Sequence, residues 1–371
     1  MGRLVRPLVP LAIVVACLHG SVRSALGEPD ERRPGSLAAY LRLAAAYRIP
    51  EQRATATAEL RRWPFAEVDH AVAALVHASD RLSEIPGAGG IDLRLAETAV
   101  MMHVQTALQA MRERSRTEAQ QHASSATLLL EAIHAAASRS RPGAPPLRPR
   151  VDRARYYLGF SAASLALGDL GVADDLATQG LRLSPVDARL LYVAGCVKDA
   201  LAVLRTVQGD AAAAREARRL AEARLRDALA VAPDDAAARL RLGRVLLEQD
   251  RLTAAQPLLE PATRAGDTGT RYLAWLFLGE LHERRRDWNE AALAYTRAMR
   301  EQPDAQAARL ALAFVLEQRS GPEAARPQVL ATLGLSGRLD RAGDPWWTFM
   351  LGPYQLASDT VEALHREAMA P

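Results

Sequence analysis

The sequence predicts an all-α fold in which pairs of helices stack side by side through the second half of the chain. The apolar fraction is 49% while aromatic residues make up only 5%, and much of the remainder is alanine, which has the highest intrinsic helix propensity. Pro185, Pro233 and Pro303 each follow a run with helical spacing and precede an aspartate within two residues. Prolines that recur at the ends of successive helical runs are typical of a helical solenoid.

The first 27 residues have the pattern of a secretory signal peptide. Arg3 and Arg6 supply a positive start, an apolar run follows over 7–18, and residues 25–27 place small side chains at a cleavage site. The apolar run is shorter than the roughly 20 residues that span a membrane. We therefore expect a bacterial protein that is exported, periplasmic or secreted, with residues 28–35 as a flexible leader.

Cys17 leaves a second possibility open at the N-terminus. The sequence Val14-Val15-Ala16-Cys17 resembles the bacterial lipobox, in which the cysteine is lipidated and becomes the new N-terminus. The protein would then be anchored in the outer membrane, and contact with a membrane is expected only in that case. Cys196 is the one thiol left unmodified, so an oxidising compartment would add no intramolecular disulfide.

A helical region over 36–138 precedes the repeats, because its apolar residues recur at helical spacing. The expected helices cover about 36–47, 50–62, 65–84, 92–113 and 117–138. Residues 139–150 are rich in proline and arginine. Proline removes a backbone donor and clashes with the preceding helical turn, so this segment is expected to be a linker.

The best repeat is found by reading back from Pro303. Its spaced residues are Trp275-x2-Leu278-Gly279-x2-His282 and then Ala291-x3-Tyr295-x2-Ala298. This spacing resembles the tetratricopeptide repeat (TPR) family, whose pattern is Trp-x2-Leu-Gly-x2-Tyr, Ala-x3-Phe, Ala and Pro over about 34 residues. Only His282 departs from it. The resemblance implies a right-handed superhelical solenoid in which a glycine or alanine at position eight lets the two helices of each hairpin approach closely.

Further copies fit the same frame, so residues 151–335 are expected to hold four or five repeats. The assigned repeats are 154–187, 188–235, 236–271, 272–305 and 306–335. The second has 48 residues with a turn at Gly209-Asp210 in its middle, which adds about two helical turns to each helix. We expect a protruding hairpin in which Leu201, Leu204 and Val207 pack against its second helix.

Residues 336–371 form the last segment and contain Trp346, Trp347 and Phe349 in a chain with few aromatic residues. A terminal repeat needs a cover over its open face, and buried aromatic side chains dominate core energetics. We expect a capping segment, with a partner-binding patch as the alternative.

The resemblance also implies a groove lined by the second, fifth, ninth and twelfth residues of the first helix in each repeat. The residues expected to face a partner are Arg155, Leu158, Arg189, Tyr192, Arg244, Leu276, Glu280 and Glu283. The same positions include Leu165, Cys196 and Asp199. The lysine and asparagine with which the family's chaperone-tail binders hold a terminal carboxylate are missing. A mixed apolar and charged groove suits an extended peptide or a helix of unknown sequence.

No catalytic or phosphate-binding motif of the HExxH, CxxC, GxSxG or Gly-rich kind occurs in the sequence. His70 and His77 lie two helical turns apart near Asp69 and Asp80, but the spacing supplies no third ligand. We expect no metal and no cofactor.

The net charge is +4, yet three arginines lie in the first 27 residues, which contain no acid. The remaining chain is therefore nearly neutral, and binding to nucleic acid is not expected.

These observations predict an exported scaffold that binds a protein or peptide in the cell envelope or secreted space without catalysis. The identity of that partner and the oligomeric state stay open. One alternative is an outer-membrane lipoprotein of the assembly-factor kind, lipidated at Cys17. Another is an enzyme whose site lies in residues 36–138, where no repeat pattern is found.

Overall fold

A computed structural model describes residues 34–84, 91–139, 146–335, 344–350 and 352–370. These residues form α-helices joined by short turns, with one parallel bridge of two short strands. The prediction of an all-α hairpin solenoid is confirmed. The signal peptide, Cys17 and nearly all of the leader lie outside the described residues. Within the described ranges, no helix is both long and apolar enough to cross a membrane.

The chain divides into two compact units. The helical unit comprises Met1–Arg153 together with Glu362–Pro371, and the repeat unit comprises Ala154–Val361.

The first part of the helical unit consists of five α-helices and one pair of short strands, and the chain end from Glu362 completes the unit. Its elements are α1 Leu37–Arg48, α2 Arg53–Arg62, α3 Phe65–His77, β1 Leu82–Ser83, β2 Ile91–Asp92, α4 Leu93–Arg112 and α5 Arg116–Ser138. Helix α4 packs along α5, and α1 packs against α2 and α4. The helix expected over 65–84 ends at His77, because the chain turns through a 3-10 segment and extends to pair Leu82 with Ile91.

The repeat unit continues with paired helices of which consecutive members pack together. They are α6 Arg153–Ala166, α7 Leu170–Leu183, α8 Ala188–Val207, α9 Ala211–Val231, α10 Ala236–Glu248, α11 Leu252–Ala262, α12 Thr268–Arg284, α13 Trp288–Glu301, α14 Ala307–Ser320 and α15 Pro322–Leu335. The short helix α16 Pro345–Met350 and the helix α17 Tyr354–Met369 follow.

The glycine at position eight brings the helices of a hairpin into close contact. A Cβ atom placed on Gly279 would lie 2.3 Å from the ring of Tyr295, and one placed on Gly195 would lie 2.7 Å from Cγ of Leu225. Both distances are shorter than van der Waals contact, so a larger residue would force the helices apart. The predicted role of this position therefore holds at Gly195 and Gly279.

The second hairpin is longer than the one after it. Its helices α8 and α9 have 20 and 21 residues, against 13 and 11 in α10 and α11. Ala202, Ala214 and Ala217 are buried along its length. Leu204 and Val207, which were expected to pack inside, are exposed, Val207 by 81%. The expectation is wrong at these two positions because they lie in the last turns of α8 and face solvent.

Aspartate side chains cap the start of several helices in the repeat unit. Asp187 and Asp235, each two residues after a proline, accept backbone N–H groups at the starts of α8 and α10. Ala305 occupies the same place after Pro303 and has no side chain that could cap α14. The N–H groups of residues 306 and 307 donate to Asp344 instead, at 3.0 Å each.

Candidate functional site

The strongest candidate site lies on the first helices of the second, third and fourth hairpins. We call it the inner pocket and define it by Asp199 on α8, Arg241 and Arg244 on α10, and Phe277 on α12. All four side chains are buried. Residues 344–350, which we call the aromatic segment, lie against it.

Two guanidinium groups share one carboxylate at the base of the inner pocket. Arg241 Nη1 lies 3.1 Å from Asp199 Oδ2, and Arg244 Nη1 lies 2.9 and 2.8 Å from the two carboxylate oxygens. The three side chains are only 4–5% exposed. Buried charges need full pairing. Asp199 is shared by two guanidinium groups, and the partly exposed Glu248 lies 3.9 Å from Arg244 Nη2.

The aromatic segment supplies further contacts to the two guanidinium groups. Arg241 Nη2 donates to the carbonyl oxygen of Phe349 at 2.5 Å, and its guanidinium carbon lies 3.5 Å from the centre of the Phe349 ring. Arg244 lies 5.8 Å from the centre of a Trp346 ring. Both contacts place a cation over an aromatic face, an attractive arrangement that strengthens where water is excluded.

Phe277 forms the apolar wall of the inner pocket. Its ring centre lies 5.2 Å from that of Phe349 and 5.9 Å from that of Trp346. Trp346 and Phe349 stack on each other with their ring centres 6.4 Å apart. The separations fall in the range that aromatic pairs prefer, so three rings form one cluster.

Asp344 fixes the start of the aromatic segment. Its buried carboxylate accepts the N–H groups of Gln306, Ala307 and Trp346, all at 3.0 Å. One side chain thus caps both α14 and α16. Burial, and then the neighbouring Asp344 carboxylate, raise the pKa of the Tyr272 hydroxyl, which therefore stays protonated beside it.

The chain after the aromatic segment runs to the first hairpin of the repeat unit. Gly352 has a φ of +86°, and a Cβ there would lie 2.6 Å from the side chain of Leu165. Gly159 on α6 similarly faces Thr360, where a Cβ would approach to 2.8 Å. Only glycine satisfies both the positive φ and the close approach at position 352.

The capping role predicted for residues 336–371 stays a prediction. Their described part in the repeat unit lies against the inner pocket and α6, and Asp344 bonds to the start of the last hairpin. That hairpin keeps large apolar side chains exposed, namely Leu310, Phe314, Val329, Leu330 and Leu333. Trp346 and Phe349 contact the buried guanidinium groups and the phenyl wall of the inner pocket.

Some of the predicted groove residues lie in or near the inner pocket, and the others lie away from it. Arg244 belongs to the inner pocket, and Tyr192 and Leu276 pack with the apolar core that includes Phe349. Glu280 pairs with Arg284 at 2.6 Å, while Glu283 accepts from the Tyr295 hydroxyl.

The remaining predicted groove residues lie on the first two hairpins. Leu158 is buried, Arg155 is partly exposed and Arg189 is exposed. A binding role for these eight side chains stays a prediction.

Arg241 and Phe277 are the pocket residues that the sequence reasoning missed. Both occupy position six of their repeats, which the family's groove pattern does not include. One feature of the sequence could have indicated Arg241: it is a charged residue among the apolar residues of the buried face of α10, beside Leu242 and Val245.

Cys196 lies near the inner pocket without acting as a nucleophile. Its thiol is free and buried, and burial raises its pKa. The thiolate is the reactive form of cysteine, so the neutral thiol serves as a small apolar residue.

The helical unit contains a separate buried polar cluster that the sequence did not reveal. His103 Nδ1 lies 2.8 Å from His122 Nδ1, and His103 Nε2 lies 2.7 Å from the Tyr40 hydroxyl. Burial lowers the pKa of both imidazoles, that of His122 to about 4. The rings are enclosed, so this cluster gives substrate no access.

The predicted pair His70 and His77 is exposed on α3. Asp69 accepts from Gln121, and Asp80 pairs with Arg139. In the part of the chain that the structure describes, no group of three or more His, Cys, Asp or Glu side chains is arranged to hold a metal ion.

Comparisons with known proteins give structural likenesses only. No protein-family model matches the chain, and no curated protein matches it. MamA residues 41 to the end from Desulfovibrio magneticus RS-1 is 21% identical with a TM-score of 0.41, covering 51% of this chain and 98% of that one.

Two further MamA structures match over a similar share of the chain. MamA AMB-1 is 21% identical with a TM-score of 0.39, covering 50% of this chain and 99% of that one. MamA MSR-1 is 20% identical with a TM-score of 0.39, covering 50% and 98%.

Proposed function

We propose that this protein is an exported, non-catalytic scaffold that holds a helical segment of a partner protein on the inner face of its repeat unit. One observation carries the proposal. Short helix α16 already lies on that face, with its aromatic rings and a backbone carbonyl bound to the inner pocket. The pocket thus has the groups needed to recognise a peptide helix.

The physical basis is a combination of apolar burial and charge. Phe277 offers an apolar wall, and Arg241 and Arg244 offer cations that bind aromatic faces and carbonyl oxygens. Such buried aromatic and arginine contacts dominate the energetics of protein interfaces. Helices that dock in a groove are recognised through a few anchors of this kind.

Export is the second part of the proposal and is supported by the N-terminal sequence pattern. The test is cell fractionation of the full chain, which we expect in the periplasm or the medium. Incorporation of labelled palmitate, lost on Cys17→Ala, would place the protein among lipoproteins instead. Recovery in the cytoplasm of the uncleaved chain would contradict export.

The scaffold role is tested by purifying the tagged full chain from cell envelopes and quantifying what accompanies it. We expect a partner in near-stoichiometric amount with the wild type, reduced about tenfold by Arg241→Met, which preserves side-chain bulk and removes the charge. Arg219→Met on the exposed side of α9 is the matched control. Equal recovery with both variants would contradict binding at the inner pocket.

A further inference from the structure

We propose that the aromatic segment is an internal competitor, and that the partner replaces it with a short helical turn carrying the same Trp-x-x-Phe pattern. This inference rests on the proposed function and deepens it by naming the chemistry of the partner. The partner is a protein helix with an acidic residue before the turn, followed by two aromatic residues spaced like Trp346 and Phe349.

The chemistry of the partner follows from what the inner pocket holds. Its two guanidinium groups, which share Asp199, also contact the Phe349 carbonyl oxygen and the faces of two aromatic rings. An aliphatic helix would supply neither ring face. A peptide cation at this point would be repelled by the two guanidinium groups, so neither kind of segment fits.

The spacing of the two rings follows from helical geometry. Residues three apart lie on the same side of a helix, and Trp346 and Phe349 both reach Phe277 from α16. Trp347 lies between them and is exposed. A partner therefore needs aromatic residues at positions i and i+3.

Asp344 explains the need for an acidic residue. Helix α14 lacks the capping aspartate that α8 and α10 have in the same place, since Ala305 stands there. The carboxylate that completes this helix start comes from the aromatic segment. Any occupant of the inner pocket that supplies an acid at this point would restore the cap.

The aromatic segment is suited to being released because its fold depends on the pocket. Helix α16 has six residues, well below the roughly 12–15 at which isolated helices become even marginally stable in water. Its helical form is therefore maintained by its contacts with Asp344, Arg241 and Phe277. Loss of these contacts releases the segment without unfolding the hairpins that carry them.

A tethered competitor weakens binding of an external helix by a predictable factor. A segment joined to its own site has an effective concentration on the order of 1 mM. If the free peptide binds with a Kd of about 10 μM, the pocket is closed about 99% of the time. The apparent affinity for a partner then falls about 100-fold, and weakening the tethered segment recovers it.

The experiment uses the full chain and a labelled synthetic peptide with the sequence of residues 343–353. Asp344→Ala loosens the segment and leaves both aromatic rings and the inner pocket in place. Asp359→Ala is the matched control, because this exposed carboxylate accepts a hydrogen bond from Gln355 on its own helix. Fluorescence anisotropy measures binding of the peptide to each chain.

We expect Asp344→Ala to bind the peptide at least about tenfold more tightly than the wild type and Asp359→Ala. Adding Arg241→Met to Asp344→Ala should abolish that gain, as should alanine at the Trp346 and Phe349 positions of the peptide. Circular dichroism confirms that each chain is folded. Since Arg244 still pairs with Asp199 in Arg241→Met, this variant leaves no buried carboxylate alone.

Three results would overturn the inference. Equal affinity of the wild type and Asp344→Ala would show that the segment does not compete. Binding that survives Arg241→Met would place the peptide elsewhere. Dimerisation of Asp344→Ala in sedimentation, with the segment exchanged between copies, would make a second copy the occupant rather than a partner.

The outcome separates this inference from the proposed function. A native partner that is lost with Arg241→Met but unaffected by Asp344→Ala would support the scaffold role and contradict competition by the segment. Peptide binding as expected, with no native partner recovered, would support the competition and contradict the scaffold role.

Discussion

The two units of the molecule bury polar groups in different ways. In the helical unit, His103, His122 and Tyr40 hydrogen-bond to one another, so the cluster is complete within packed helices. In the repeat unit, Arg241 and Arg244 pair with Asp199 of the hairpins and also contact residues of the short helix α16. The first arrangement is a permanent core, while the second depends on an element that another helix could replace.

The two units differ because repeated hairpins contact mainly their neighbours, while the helices of the helical unit contact distant parts of the chain. In the helical unit, buried Glu97 accepts the backbone N–H of Val151 at 2.8 Å and pairs with Arg94, so distant chain segments complete each other. Repeats contact mainly their neighbours and leave a continuous inner face. The inner pocket on that face is contacted by a short helix that is not part of a hairpin.

The largest expected effect comes from removing the shared carboxylate of the inner pocket. Asp199→Ala leaves two buried guanidinium groups without their acid, and breaking a buried pair in this way costs about 3–5 kcal/mol. Asp174→Ala, whose pair with Lys198 is partly exposed, should cost less than about 1 kcal/mol. Urea denaturation followed by circular dichroism measures both. Similar losses for the two variants would contradict the account.

The next effect tests the close approach of helices in the repeat unit. Gly279→Ala places a methyl group against the buried Tyr295 ring, where the Cβ would lie 2.3 Å from a ring carbon. Overpacking of this kind costs about 1–3 kcal/mol. Gly171→Ala is the control, because the nearest atom to its Cβ is 3.7 Å away, and alanine there should be neutral or slightly stabilising. Thermal unfolding compares them.

The third effect is a loss of stability on acidification, which we expect in the helical unit. Burial lowers the pKa of His122 from its usual value to about 4, so the folded helical unit keeps the neutral ring that the unfolded chain protonates. The contribution of the neutral His122 ring to the free energy of unfolding is complete above about pH 6.5. It is lost as the pH falls towards 4. Between pH 7 and pH 5 it amounts to about 2 kcal/mol.

Urea denaturation at the two pH values measures this loss in the wild type and in His122→Gln. Glutamine retains a donor and an acceptor towards His103 but does not titrate. We expect the variant to lose less stability on acidification, whatever its stability at pH 7. An unchanged pH dependence would show that the buried histidine pair does not make the helical unit acid-sensitive.

The sequence predicted the hairpins well because their rules are local. Prolines, capping aspartates and the glycine at position eight act within one repeat, and Gly195 and Gly279 lie where that spacing placed them. The inner pocket was less accessible to prediction. Asp199 and Phe349 lie far apart in the sequence, and no spacing rule brings them together.

Two further features show where such reasoning ends. His103 and His122 lie 19 residues apart on two helices, and their contact depends on how α4 and α5 rotate against each other. Ala305 could have indicated a long-range contact, because a helix without its own capping aspartate needs a cap from another part of the chain. The aromatic-poor composition likewise singled out Trp346 and Phe349, although it did not place them in the inner pocket.

Hydrogen–deuterium exchange of the aromatic segment tests most directly the claim that it occupies the inner pocket reversibly. The amide of Trp346 donates to Asp344 Oδ1, and those of Trp347 and Gly352 donate to backbone carbonyls, so docking protects them. We expect protection of about 100-fold in the wild type, far below that of α12, and its loss in Asp344→Ala while α12 is unchanged. Protection equal to that of α12, lost only on global unfolding, would contradict the account.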